Sequence, residues 1–194
     1  MAQIAAGYTF PNANPVSAGT YSRYVACDPT GKFAYVTNYG ANTVQAYTID
    51  AITGALTSVG TAATGSYPQG VACDPTGKFV YVVNSSSYTV SAYTINQVTG
   101  ALTSVGTAAT GAQPQSVACD ITGKFVYVTN ANSNTVQAYT INATTGALTS
   151  VGTVATGTYP NGVACDPTGK FVYVTNYYNG TGGNTVQARS ESVV

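Results

Sequence analysis

The 194-residue chain carries six Lys or Arg, six Asp or Glu and no histidine, so only 6% of its residues are charged and its formal net charge is zero. That balance leaves no basic face to follow a phosphate backbone or an anionic membrane, so neither nucleic acid nor membrane is an expected partner. No apolar run approaches the eighteen or more residues of a membrane span. The opening MAQIAAGYTF has no basic region followed by an apolar one; any leader would already have been removed, and a secreted or cell-surface origin is slightly favoured.

The chain is built on repetition. VACDPTGKF recurs from Val25, Val71 and Val163, and VACDITGKF from Val117, each 46 residues after the last. Residues 25–70 and 71–116 share 33 identities in 46, so each unit must be one supersecondary block. Before the first full unit, Thr9 to Tyr21 align with Ala55 to Tyr67, Phe10 matching Leu56 and Gly19 matching Gly65. This N-terminal segment, 9–20, is therefore expected to be an isolated outer strand.

Within a unit the apolar residues alternate with period two and are rich in β-branched and aromatic types, which specifies strands. The second unit shows the pattern. Strand A spans Gly70 to Cys73, and Asp74-Pro75-Thr76-Gly77-Lys78 forms a tight turn, proline suiting its first central position and glycine the left-handed one. Strand B spans Phe79 to Val83, strand C Thr89 to Ile95, and strand D Ala101 to Thr107, joined by loops 84–88 and 96–100. The fourth unit supplies strands A to C over 163–188 and stops. The fold class is thus all-β: a single β-propeller domain of four-stranded antiparallel blades, units 25–70, 71–116, 117–162 and 163–188, the last completed by 9–20. Closure of that kind hides open sheet edges.

The motifs DPTGKFVYV (Asp74 to Val82), YVTN (Tyr35 to Asn38, Tyr127 to Asn130, Tyr173 to Asn176) and NTVQAYTI followed by TGALT resemble the YVTN-repeat propellers, a group that includes the seven-bladed lactonase family related to 6-phosphogluconolactonase. The resemblance covers nearly the whole chain after residue 8. It implies the propeller fold and, through the family, hydrolysis of a sugar lactone. The count of four blades departs from seven. Three arrangements remain open: four blades closing alone as a monomer, two chains forming an eight-bladed ring, or a fragment. Blades rich in Ala, Val, Gly, Thr and Ser and lacking Trp are thin wedges, which favours the larger ring formed by self-association.

Proton-transfer catalysis needs a positioned acid or base. Asp28, Asp74, Asp120 and Asp166, with Lys32, Lys78, Lys124 and Lys170, all lie in the repeated A–B turn, where turn capping accounts for them. Arg23, Asp50, Arg189 and Glu191 remain, and they assemble no catalytic set, so no enzymatic activity and no cofactor is expected. Cys27, Cys73, Cys119 and Cys165 take one equivalent position per blade. Without a local CxxC they read as small core residues rather than as zinc ligands or disulfide partners.

The sixteen tyrosines divide by position. Those of strands B and C repeat with the fold and read as core. Tyr21, Tyr24, Tyr39, Tyr67, Tyr88, Tyr159, Tyr177 and Tyr178 fall in the D–A and B–C loops, which emerge at one end of a propeller. Together with Gln69, Gln115, Asn161 and Arg23, which takes the slot of those three amides, they form a candidate ligand-binding face suited to a glycan or protein. The leading expectation is a non-enzymatic scaffold or binding module. The alternatives are a lactone hydrolase remnant and a designed or recently amplified repeat protein with no ligand.

Overall fold

The computed structural model describes residues 3–5, 8–9, 15–177 and 185–190. Every regular element among them is a strand. Two short strands, β1 (Gln3–Ala5) and β2 (Tyr8–Thr9), pair with each other. The first blade comprises β3 (Ser22–Cys27), β4 (Phe33–Asn38), β5 (Thr43–Ile49) and β6 (Leu56–Ala63). The second comprises β7 (Pro68–Cys73), β8 (Phe79–Asn84), β9 (Thr89–Ile95) and β10 (Leu102–Ala109). The third contains β11 (Pro114–Cys119), β12 (Phe125–Asn130), β13 (Thr135–Ile141) and β14 (Leu148–Ala155), and the fourth β15 (Pro160–Cys165), β16 (Phe171–Asn176) and β17 (Thr185–Ser190). Each blade is an antiparallel meander in chain order. The inner strands follow one another, β3 against β7, β7 against β11 and β11 against β15.

Strand A begins at Pro68, two residues before its predicted start, because a bulge between Pro68 and Val71 carries the ladder on to Asn84. The same irregularity recurs in the other three blades. A bulge leaves a backbone N–H without its ladder partner, and the threonine of YVTN supplies one. Thr37 Oγ1 accepts from the Tyr24 N–H at 3.1 Å, Thr129 from Ser116 at 3.1 Å, and Thr175 from Gly162 at 2.9 Å. The asparagine of the motif fastens the preceding connection. Asn38 Oδ1 accepts from Gly19 N–H at 3.0 Å and Asn84 Oδ1 from Gly65 N–H at 3.1 Å.

The A–B turn is held by its aspartate. Asp74 takes N–H donors from Thr76 (3.0 Å), Lys78 (2.8 Å) and Phe79 (2.7 Å), together with the Thr76 hydroxyl. These charge-assisted bonds replace a ladder that the turn cannot make. The aspartates are thus committed to structure, as their position in the repeat suggested.

The core lies between blades. Phe33, Tyr35, Val44 and Ala46 of the first blade meet Val80, Val82, Tyr93 and Ile95 of the second. Phe79, Tyr81, Val83, Val90 and Ala92 meet Val117, Val126, Val128 and Tyr139 in the same way, and Tyr127, Val136 and Ala138 meet Val172 and Val174. The tyrosine of YVTN also bonds across the seam: Tyr35 OH donates to the Gly100 carbonyl and Tyr81 OH to that of Gly146, both at 3.0 Å. Burial pushes the hydroxyls of Tyr35, Tyr81 and Tyr139 above their ordinary range, with Cys73 and Asp28 adding to it at Tyr35 and Cys119 and Asp74 at Tyr81.

The expected completion of the fourth blade by 9–20 falls largely outside the described residues. Among the described residues its sheet has three strands, and Thr9 pairs with Gln3 rather than with β17. Local pairing closes a loop of a few residues, whereas β17 lies at the far end of the chain of blades. Residues 10–14 lie outside the described residues. The connection after them is where the offset repeat puts it: Tyr47 OH donates to the Ser17 carbonyl at 2.9 Å, as Tyr93 and Tyr139 donate to Ala63 and Ala109 at 2.7 Å.

Candidate functional site

Antiparallel meanders place every D–A connection and B–C loop at one end of the blades and every A–B and C–D turn at the other. At the first end, one position of the D–A connection has a left-handed backbone in all four copies: Tyr21 (φ 54°), Tyr67 (φ 56°), Gln113 (φ 56°) and Tyr159 (φ 54°). A bulky residue there stores strain, which the surrounding bonds must hold. Asn42 Oδ1 accepts from the Tyr67 N–H at 2.9 Å, and Asn134 Oδ1 does the same for Tyr159 at 2.8 Å. These two asparagines are clamps on the loops.

The clamps assemble an aromatic stack. The rings of Tyr39 and Tyr67 lie parallel, centroids 4.5 Å apart and planes within 8°. The guanidinium carbon of Arg23 sits 4.6 Å from the Tyr39 centroid, at cation–π distance. Three of the predicted site residues, from two blades, therefore form one continuous surface. Tyr67 is 45% exposed, so the stack ends in solvent.

The remaining predicted residues distribute around it. Tyr21, Tyr24 and Tyr88 are exposed. Tyr159 and Tyr177 make a second, edge-on pair with centroids 6.4 Å apart, and Tyr159 OH donates to Gln113 Oε1 at 3.2 Å. Gln113, which sequence reasoning passed over, was visible only as the one non-tyrosine at a tyrosine position. Gln69 and Gln115 are buried, and the Asn161 carbonyl accepts from the Thr129 hydroxyl at 3.1 Å. The structure thus withdraws Gln69 and Gln115 from the exposed surface, whereas Arg23 at the equivalent position of the first blade stays exposed. Tyr178 lies outside the described residues.

At the opposite end, the four cysteines line one cleft of about 330 Å³ together with Asp74, Asp120, Asp166 and residues Pro29, Pro75 and Pro167 of the A–B turns. No disulfide links them. Burial pushes the Cys73 and Cys119 thiols up, and the neighbouring aspartates Asp28 and Asp74 add to it at Cys73. A thiol held protonated is a poor metal ligand and nucleophile. Among the described residues no three His, Cys, Asp or Glu side chains are grouped to hold a metal ion.

The described carboxylates are segregated at that same end. Burial opposes ionisation of Asp28, but the Thr30 hydroxyl and the N–H groups of Phe33, Thr30 and Lys32 outweigh it and hold its carboxyl below the ordinary range. The Thr168 hydroxyl and backbone N–H groups bring Asp166 down to about 2. Asp50 is lowered by the Thr53 N–H and hydroxyl within its C–D turn. None of these groups reaches the tyrosine face.

Repeated antiparallel blades packed face to face, with a loop end carrying aromatic stacks, define a β-propeller. The family model described as "Lactonase, 7-bladed beta-propeller" matches residues 6–119 and 116–182, and the chain belongs to that family. No curated sequence relative matches. Among solved structures, a putative 6-phosphogluconolactonase from Bacteroides fragilis is 26% identical with a TM-score of 0.70, aligning 76% of this chain and 42% of that one. The periplasmic gluconolactonase of Pseudomonas aeruginosa is 22% identical with a TM-score of 0.66, over 86% of this chain and 53% of that one. A Lactobacillus plantarum protein reaches a TM-score of 0.76 at 24% identity, over 88% and 52%. The chain spans about half the length of these structures.

Proposed function

We propose that this propeller is a binding module whose tyrosine face takes a glycan, and that it is not a hydrolase. The observation that carries the reading is the Arg23–Tyr39–Tyr67 stack: a flat aromatic platform, partly exposed, flanked by a guanidinium edge. Sugar rings present C–H faces to aromatic planes, and their hydroxyls take bonds from flanking polar groups. The same end of the molecule supplies no carboxylate among the described residues, since Asp28, Asp74, Asp120 and Asp166 cap A–B turns and Asp50 a C–D turn.

A glycan array probed with the purified chain tests this, followed by titration of the best binder against Tyr67→Ala and Tyr39→Ala. Each variant is expected to weaken binding about tenfold or more, consistent with loss of ~1.4 kcal/mol per platform ring. Silence on the array, or unchanged affinity in both variants, would remove the site.

Family membership favours a second reading, hydrolysis of a sugar lactone. It predicts turnover of a gluconolactone above the spontaneous rate, lost in Arg23→Ala. Under the binding reading the chain leaves that rate unchanged.

A further inference from the structure

Among the described residues the first and fourth blades each leave one face uncovered, and the two faces are mates. On the fourth blade, Phe171, Tyr173 and Val186 are 41%, 42% and 68% exposed, whereas their counterparts Phe79, Tyr81 and Val90 in the second blade are 3%, 0% and 0% exposed. The difference has one cause: the second blade has a third against it. At the other end the complementary sockets stand open. Gly100, which receives Phe33, would bring an added Cβ against Cδ1 of that ring and within 2.8 Å of its Cε1, whereas its counterpart Gly54 has nothing within 4 Å. Gly77 likewise meets Pro29 at 3.4 Å from such a Cβ, and its counterpart Gly31 meets nothing.

We propose that the open face of the fourth blade docks on the first blade of a second copy of this chain, and reciprocally, so that two half-rings close one eight-bladed propeller. From Val25 to Asn176 residues 46 apart are nearly the same, so the part of this seam made by Phe171, Tyr173 and Gly54 repeats the internal ones. Phe171 packs on Gly54 of the second copy and Tyr173 OH donates to its carbonyl, as Tyr35 does to Gly100. Pro167 meets Gly31 of that copy. The register that pairs Ala62 with Val44 sets Val16 beside Val186 of the second copy. These are two exposed valines at 39% and 68% that then complete each other's outer edge. The Tyr47–Ser17 bond already holds the N-terminal segment at that position.

Curvature agrees with this occupant. A seven-bladed ring turns about 51° per blade and an eight-bladed one about 45°, whereas four blades closing alone need about 90°. The matching family model is seven-bladed, and the chain overlays roughly half of each of the three longer chains at TM-scores of 0.66 to 0.76, which agrees with the gentler turn. A two-fold axis makes both new seams identical.

Light scattering after size exclusion tests the seam. The 194-residue chain is expected at twice its 19.7 kDa mass. The double variant Phe171→Asp, Tyr173→Asp, and independently Val186→Asp, is expected at the single-chain mass with an unchanged β circular-dichroism spectrum, because the altered side chains are already exposed in one chain. Val98→Asp, at a position 87% exposed on an internal blade, is expected to keep the doubled mass. A single-chain mass for the unmodified chain at all concentrations would overturn the proposal, as would any other multiple. So would a doubled mass that survives in folded blade-four variants, which would place the contact on another face.

Discussion

Equivalent glycines in consecutive blades allow packing to be separated from backbone strain. Gly54 and Gly100 have left-handed backbones, φ 70° and 78°, so alanine at either costs about 1 kcal/mol of conformational strain. Only at Gly100 does the new methyl also collide with the Phe33 ring, which is 4% exposed and walled in by the seam. Overpacking of a filled core costs about 1–3 kcal/mol more. In the Phe171→Asp, Tyr173→Asp background, where no second copy covers Gly54, urea unfolding followed by circular dichroism is therefore expected to show a loss of about 1 kcal/mol for Gly54→Ala. Gly100→Ala should lose about 2–4 kcal/mol. Equal losses within about 0.5 kcal/mol, near the precision of extrapolation, would refute the claim that Phe33 is locked against Gly100.

Asp74→Ala removes the carboxylate that caps a buried turn and strands the N–H groups of Lys78 and Phe79, for an expected loss of about 3 kcal/mol in the same assay. Tyr81→Phe deletes the donor to Gly146 and is expected to cost about 1 kcal/mol. Asp28, Asp50 and Asp166 have lowered folded-state pKa values, so their stabilisation is complete above the ordinary 3.8 and is lost as pH falls towards 2. Thermal melts should drop across that window. Tyr35, Tyr81, Tyr139, Cys73 and Cys119 are raised, so their contribution is complete below about 9 and melts should fall again as pH climbs past 10.

The blade was legible because its determinants are local. Asp74, Pro75 and Gly77 specify the A–B turn, and alternation specifies the strands. The role of each YVTN residue was not legible, since Tyr35 bonds a carbonyl 65 positions away and Thr37 serves a bulge that alternation conceals. At the site, Tyr21, Tyr39, Tyr67, Tyr88, Tyr159 and Tyr177 lie between strands where the repeat puts them, whereas Tyr24 lies on β3. Sequence could not show that Tyr39 stacks on Tyr67, or that Asn42 is spent as a clamp, because both depend on how neighbouring blades lean together. The burial of Gln69 and Gln115 was not legible either, since Arg23 in the equivalent slot of the first blade is exposed. The offset of one strand was visible in the alignment of Thr9–Tyr21 with Ala55–Tyr67, but the pairing of Thr9 with Gln3 was not, because Gln3 lies outside the repeat.

A high-resolution experimental structure of the 194-residue chain at the concentration where its mass has been measured tests the ring most directly, through the distance from the Phe171 ring to Gly54. A ring closed by two chains requires van der Waals contact, below about 4 Å, with Gly54 of a second copy. Contact with Gly54 of the same chain, or a Phe171 ring left in solvent, would contradict it.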